Sequence, residues 1–132
     1  MKARKLITLF MVVAIIAVMA ITASAVDYVT NFTLAFNLNV SGETVTSSAS
    51  AMKQYTGESA EIDITGFPQS NLRFTMYAVC NGNRATTSQT VYHCNSFNMA
   101  YYSGYGQAGQ IYRVRGVSTG NASGGCSGVF MP

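Results

Sequence analysis

An all-β fold is what this sequence predicts: a small antiparallel β-sandwich, or a closed barrel, of six to eight short strands, preceded by a helical signal peptide. Three observations carry the prediction. Apolar and polar residues alternate with a period of two in several segments, Gly and Asn turn signals separate those segments, and no sustained 3.6-residue pattern follows the apolar amino terminus.

The amino terminus reads as an export signal. Three of the first five residues are basic (Lys2, Arg4, Lys5), and no charge occurs from Leu6 to Thr22. Ala23, Ser24 and Ala25 then supply the small residues that a signal peptidase accepts. Seventeen apolar-rich residues also sit at the lower limit for a bilayer span, but the A-x-A site favours cleavage. The expected organisation is a signal peptide over residues 1–25 and a single secreted β domain over residues 26–132. Once the signal is cleaved, no stable membrane insertion is expected. The basic leader and the A-x-A site read as bacterial, so the expected location is outside a bacterial cell.

Cleavage changes the charge. The chain has eight Lys and Arg against five Asp and Glu, a formal net charge of +3. Three of the bases belong to the leader, so the remaining domain carries five of each and is neutral. A nucleic-acid partner, which needs a basic surface, is therefore not expected.

The individual elements follow in order. Phe32, Leu34, Phe36, Leu38 and Val40 alternate with polar or small residues and predict one strand, with that set facing inward. Ser41-Gly42-Glu43 is a turn signal, and Thr44–Lys53 reads as a second strand. Ala60, Ile62 and Ile64 alternate with Glu61, Asp63 and Thr65, which predicts a strand with its carboxylates outward. A connection over Gly66–Asn71 leads to a strand from Leu72 to Cys80. Asn81-Gly82 is a strong hairpin dipeptide, with Ala85–Cys94 as the returning strand. Ile111–Val117 is a further strand, Ser118–Gly125 a loop, and Val129–Pro132 a short terminal strand. Eight of the twelve glycines lie from Gly104 onward, so many tight turns are expected there.

Cys80, Cys94 and Cys126 are an odd set for an oxidising compartment, where two are expected to pair. Cys80 with Cys94 is the favoured bridge, because the two bracket the hairpin segment; the other two pairings stay open. A single His and the lack of C-x-x-C speak against a metal site. No cofactor is expected.

Catalytic constellations are sparse. His93 is the only histidine, and its neighbour Cys94 points to the opposite face of any strand they share. Glu61 and Asp63 share a face at roughly 7 Å along a strand, a spacing within the range of a glycosidase pair. A solvated polar face is the simpler account, because such pairs need opposed cleft walls and divergent pKa values. No enzyme activity is expected. The candidate binding residues are instead Tyr101, Tyr102, Tyr105 and Tyr112, in and beside a Tyr/Gly run. Tyrosine offers a flat apolar ring and a hydroxyl at low entropic cost. Completion of the core is the competing account of these rings.

Three segments carry a family likeness: Asn83-Arg84-Ala85-Thr86, the run Gly109-Gln110-Ile111-Tyr112-Arg113-Val114-Arg115-Gly116, and the closing Ser127-Gly128-Val129-Phe130-Met131-Pro132. In these the chain resembles small secreted β-sandwich proteins of Gram-positive bacteria, including lactococcin-like bacteriocins. The resemblance implies an exported two-sheet fold and, for some members, antagonism of neighbouring cells. The chain departs from the bacteriocin pattern in having no Trp, a single His and added cysteines.

The expected function is a secreted, non-enzymatic binding module acting at or outside the cell envelope, with a protein or a cell-envelope glycan as partner. A bacteriocin-like protein and a carbohydrate-binding domain are the alternatives. Charge layout adds a structural expectation. Residues 26–63 hold five acids and one base, and residues 64–132 hold four arginines and no acid. The halves are expected to meet in cross-strand ion pairs, Asp63 with Arg73 among them; the alternative is a separate basic patch for anionic envelope polymers.

Overall fold

The computed structural model describes residues 27–67, 71–121 and 123–132. The signal peptide expected over residues 1–25 lies outside the described residues, as does the Pro68–Ser70 part of the predicted connection. The described chain is all-β, with ten strands rather than six to eight: β1 (Thr30–Phe36), β2 (Thr44–Thr46), β3 (Ala51–Met52), β4 (Ala60–Gly66), β5 (Phe74–Cys80), β6 (Asn83–Arg84), β7 (Gln89–Val91), β8 (Ser96–Met99), β9 (Ile111–Ser118) and β10 (Gly124–Met131). They form two antiparallel sheets. One has four strands in the order β1-β10-β4-β8; the other has six, β2-β9-β5-β6 with β3 added on β9 and β7 on β5. The sheets do not close on one another, so the barrel alternative does not apply.

Both sheets turn their apolar faces to one core. Phe32, Leu34 and Phe36 of β1, Ile62 and Ile64 of β4, and Phe130 of β10 meet Phe74 and Met76 of β5 and Tyr112 and Val114 of β9. The Phe36 and Phe74 rings lie 5.0 Å apart across the layers. Gly116 of β9 packs directly against β1 of the other sheet: a Cβ there would lie 2.8 Å from Phe36 Cζ and 2.9 Å from Leu34 Cδ1. That separation is well inside van der Waals contact, so a side chain there would have to displace Phe36 and Leu34.

The period-two readings of Ala60–Thr65 and Leu72–Cys80 match the structure, with Ala60, Ile62, Ile64, Leu72, Phe74, Met76, Ala78 and Cys80 buried; on β9 the buried residues are Tyr112 and Val114. Asn81 and Gly82 both have positive φ, 50° and 82°, as a type I′ hairpin requires. They set Cys80 opposite Asn83 and Val79 opposite Arg84.

Elsewhere the structure corrects the strand pattern. The first strand stops at Phe36, leaving Leu38 67 % and Val40 45 % exposed. The Glu43 carboxylate accepts the Asn37 and Leu38 amides at 2.9 and 3.0 Å, and Asn39 at φ 53° turns the chain. Thr44–Lys53 splits into β2 and β3, because the Ser47 hydroxyl accepts the Val114 amide and interrupts the ladder. Ala85–Cys94 splits in the same way: the Thr86 hydroxyl accepts the Ala78 amide at 2.9 Å, in place of a backbone carbonyl. The glycine-rich tail is mostly strand, not loop. β10 runs between β1 and β4, and a Cβ on its Gly128 would strike the Asp63 carbonyl oxygen, so glycine here permits close strand packing.

The structure contains no disulfide: Cys80 and Cys126 are buried thiols and Cys94 an exposed one. The hairpin explains why the favoured bridge is absent. Cys80 stands at the turn, whereas Val91 is opposite Phe74 at the far end of β5, and Cys94 lies beyond it. Six strand steps of about 3.3 Å put the two ends of β5 roughly 20 Å apart, too far for a bridge. Burial pushes the Cys126 thiol up to about 12, and the Cys94 charge adds a smaller push against the Leu34 backbone hydrogen bond.

The expected ion pairs are also absent. No Lys or Arg comes within 4.0 Å of an Asp or Glu side chain among the described residues. The reason is topological, since Glu61 and Asp63 stand on β4 of the four-stranded sheet and Arg113 and Arg115 on β9 of the other.

Candidate binding face

Of the four tyrosines singled out by sequence, Tyr112 is fully buried in the core. Its hydroxyl accepts the Gly106 amide at 2.7 Å and donates to Gln110 Oε1, which ties down the glycine-rich loop. Tyr101 packs on Tyr112 with ring centres 5.1 Å apart, and Tyr105 packs partly buried against the same core. Tyr102 alone shows a large part of its ring, 42 % exposed. The structure therefore does not gather these rings on one surface.

Beneath Tyr101 lies a feature that the sequence did not signal. Lys53 is 1 % exposed, its Nζ lies 4.9 Å from the Tyr101 ring centre, and neither Lys53 Nζ nor Tyr101 Oη has a hydrogen-bond partner. Burial lowers the Lys53 amine, and Glu58 partly opposes that shift. The Tyr101 phenol is pushed up, first by burial and then by Tyr112 and Cys80. The ring face offers the ammonium a quadrupole in place of a counter-ion.

The outer face of the six-stranded sheet is the most distinctive surface. Side chains on β9 alternate, so Arg113 and Arg115 point away from the core while Tyr112 and Val114 point into it. Cross-strand register sets Arg115 beside Tyr77 and Arg113 beside Val79, and Val79 opposite Arg84. Arg84 is held in place: its Nε donates to the Thr86 carbonyl at 3.0 Å and a terminal nitrogen to Ser88 Oγ at 2.9 Å. Its guanidinium lies 4.9 Å from the Tyr77 ring centre and 5.6 Å from that of Tyr102. Arg115 donates to Thr46 Oγ1 at 2.8 Å and to the Gly82 carbonyl at 3.2 Å. Arg113 is exposed and borders an open depression of about 240 Å³ with Val79, Asn81, Gly82 and Ile111. The six strands of this sheet contain no Asp or Glu. Stacked, hydrogen-bonded guanidinium groups lose little freedom when they grip a phosphate or carboxylate. The sequence carried the Arg113/Arg115 spacing, and the Asn81-Gly82 turn sets Arg84 opposite Val79, but only the pairing of β9 with β5 brings the three together.

The opposite outer face is acidic. Glu61 and Asp63 project from β4, and Asp63 Oδ1 accepts the Ser96 hydroxyl at 2.7 Å. Glu61 also lines a cleft of about 230 Å³ with Tyr28, Tyr55, Glu58 and Met131, and Tyr28 and Tyr55 are 48 % and 58 % exposed. The two carboxylates lie on one sheet face, not on opposed walls, so the geometry of sugar hydrolysis is not assembled.

His93 is exposed. Its Nδ1 lies 2.7 Å from the Cys94 carbonyl; a carbonyl only accepts, so the proton sits on Nδ1. Tyr92 packs edge-on against the imidazole at 4.4 Å. Among the described residues no group of three or more His, Cys, Asp or Glu could hold a metal ion, and no helix is long and apolar enough to cross a membrane. No protein-family model matches the chain, and neither the curated proteins nor the solved structures contain a significant match.

Proposed function

We propose that the protein is a secreted, non-enzymatic binding module working at or outside a bacterial cell envelope, and that its ligand is an anionic envelope polymer. A two-sheet sandwich is the scaffold, and the outer face of the six-stranded sheet is the binding surface. The observation that carries the reading is the set of three arginines, Arg84, Arg113 and Arg115, on a sheet without a single acid. Tyr77 and Tyr102 flank Arg84 at cation–π distance, and exposed Arg113 supplies free donors. A repeating phosphate or carboxylate backbone suits three guanidinium groups spread over adjacent strands. The basic, apolar and A-x-A run of residues 1–25 supports export to the place where such polymers occur.

Titration of the purified protein with a glycerol-phosphate polymer tests this. Binding is expected to weaken with salt, at a slope of about −2 in log–log form for three contacts worth roughly 0.7 each. Arg113→Ala is expected to cost about tenfold in affinity, in keeping with one charge-assisted hydrogen bond. A flat salt dependence together with an unchanged affinity for Arg113→Ala rules the reading out.

A further inference from the structure

The two outer faces are complementary to each other as well as to solvent. Counted over the described residues, acids and bases balance at five each, yet no salt bridge joins them within the domain. Glu58 and Glu61 stand in a cleft walled by the exposed rings of Tyr28 and Tyr55. On the outer face of β9, exposed Arg113 stands beside Ile111, which is 45 % exposed. Each patch thus combines charge of one sign with exposed apolar surface; Glu61 stands on β4 of one sheet and Arg113 on β9 of the other. A cleft with an acidic, aromatic lining suits a guanidinium flanked by an aliphatic side chain, through ion pairing and cation–π contact.

We propose that this acidic cleft is the docking site for the arginine face of a second copy of the chain, so that copies associate head to tail. Such a contact joins different surfaces of the two copies, and its rotation need not close, so short linear chains are expected. A standard interface takes roughly 800 Å² from each partner, about a tenth of the 8170 Å² surface. The attraction acts between exposed charges, so salt should screen it. The inference shares the arginine face with the polymer reading, so polymer and second copy compete there. The acidic cleft serves self-association alone.

Sedimentation velocity of the purified protein at about 20 mM and about 500 mM NaCl, compared over a range of protein concentrations, is the test. The wild-type mass average should rise with concentration at low salt and return to monomer at high salt. Glu61→Arg and Arg113→Glu should each remain monomeric, and mixing the two should restore association, since both possible pairings then join opposite charges. Glu61→Arg should still bind glycerol-phosphate polymer, which separates failure of this inference from failure of the polymer reading. Should either reversal fail to fold by circular dichroism, Glu61→Gln and Arg113→Gln take their place, each expected to weaken association about tenfold. A wild-type protein that stays monomeric at low salt overturns the proposal. So does association that ignores these substitutions, or a mixture of folded reversal variants that stays monomeric.

Discussion

The outer faces of the two sheets are built on the same plan and carry opposite chemistry. On β4, Glu61 and Asp63 alternate with Ile62 and Ile64; on β9, Arg113 and Arg115 alternate with Tyr112 and Val114. In both strands the buried set holds the core and the charged set faces away from it. A chain that used these charges for stability would place the two strands side by side, gaining about 0.2–1 kcal/mol per exposed pair. Here β4 and β9 lie in different sheets, and that small gain is forgone. Segregation instead leaves each face with a field of one sign, which favours encounter with a partner over internal cohesion.

The two faces are held apart by the shared core, and Gly116 packs closely across it against Phe36 and Leu34. Gly116→Val forces a branched side chain against Phe36 and Leu34 and is expected to destabilise by about 1–3 kcal/mol, read as a lower midpoint in urea. An unchanged midpoint would mean that the sheets are not held this closely.

Lys53 sharpens the contrast, because it is the one described Lys or Arg buried away from both faces. Its folded amine holds a proton less tightly than the unfolded chain does, since burial lowers it from 10.5. The resulting penalty is present below the lowered folded value and is relieved as pH rises from there toward 10.5. Lys53→Met keeps the stem and removes the charge, so it should raise stability by about 1 kcal/mol at neutral pH. That gain should shrink as pH approaches 10.5. A loss of stability in Lys53→Met would show that the contact with Tyr101 outweighs desolvation.

The smallest effect is expected between Asp63 and Arg73. They form no ion pair, and Asp63 is bonded instead to Ser96. A double-mutant cycle with Asp63→Asn and Arg73→Ala should give a coupling below about 0.2 kcal/mol. A larger coupling would return these charges to a structural role.

Much of the fold is legible where a strand buries one face along its whole length. β4 alternates strictly, as does β5 from Phe74 to Ala78, and Asn81-Gly82 announces its own turn. What escaped is decided by side chains acting on the backbone. Glu43 ends β1, Ser47 divides β2 from β3, and Thr86 interrupts the return from β5, each by a hydrogen bond to a partner distant in sequence or unpaired in the ladder. Such bonds leave no periodic trace. β10 was obscured because Gly128 serves a strand that needs room, and glycine otherwise reads as loop. The misassigned bridge has a simpler cause: a tight turn at Asn81-Gly82 already carries residue 94 away from residue 80. The tyrosine run was visible as composition, but whether a ring faces core or solvent depends on tertiary contacts such as that between Tyr112 and Gly106. The arginine face required cross-strand register, which only the assembled sheet provides.

The central claim is that one outer face, and not the other, takes an anionic polymer. Backbone amide shift mapping by NMR, during titration with a glycerol-phosphate oligomer, reads both faces in one experiment. At a protein concentration low enough to keep the chain monomeric, the account predicts shifts centred on Tyr77, Arg84, Arg113 and Arg115, with Glu61 and Asp63 unmoved. Shifts centred on Glu61 and the Tyr28–Tyr55 cleft, with the arginine strands silent, would contradict it.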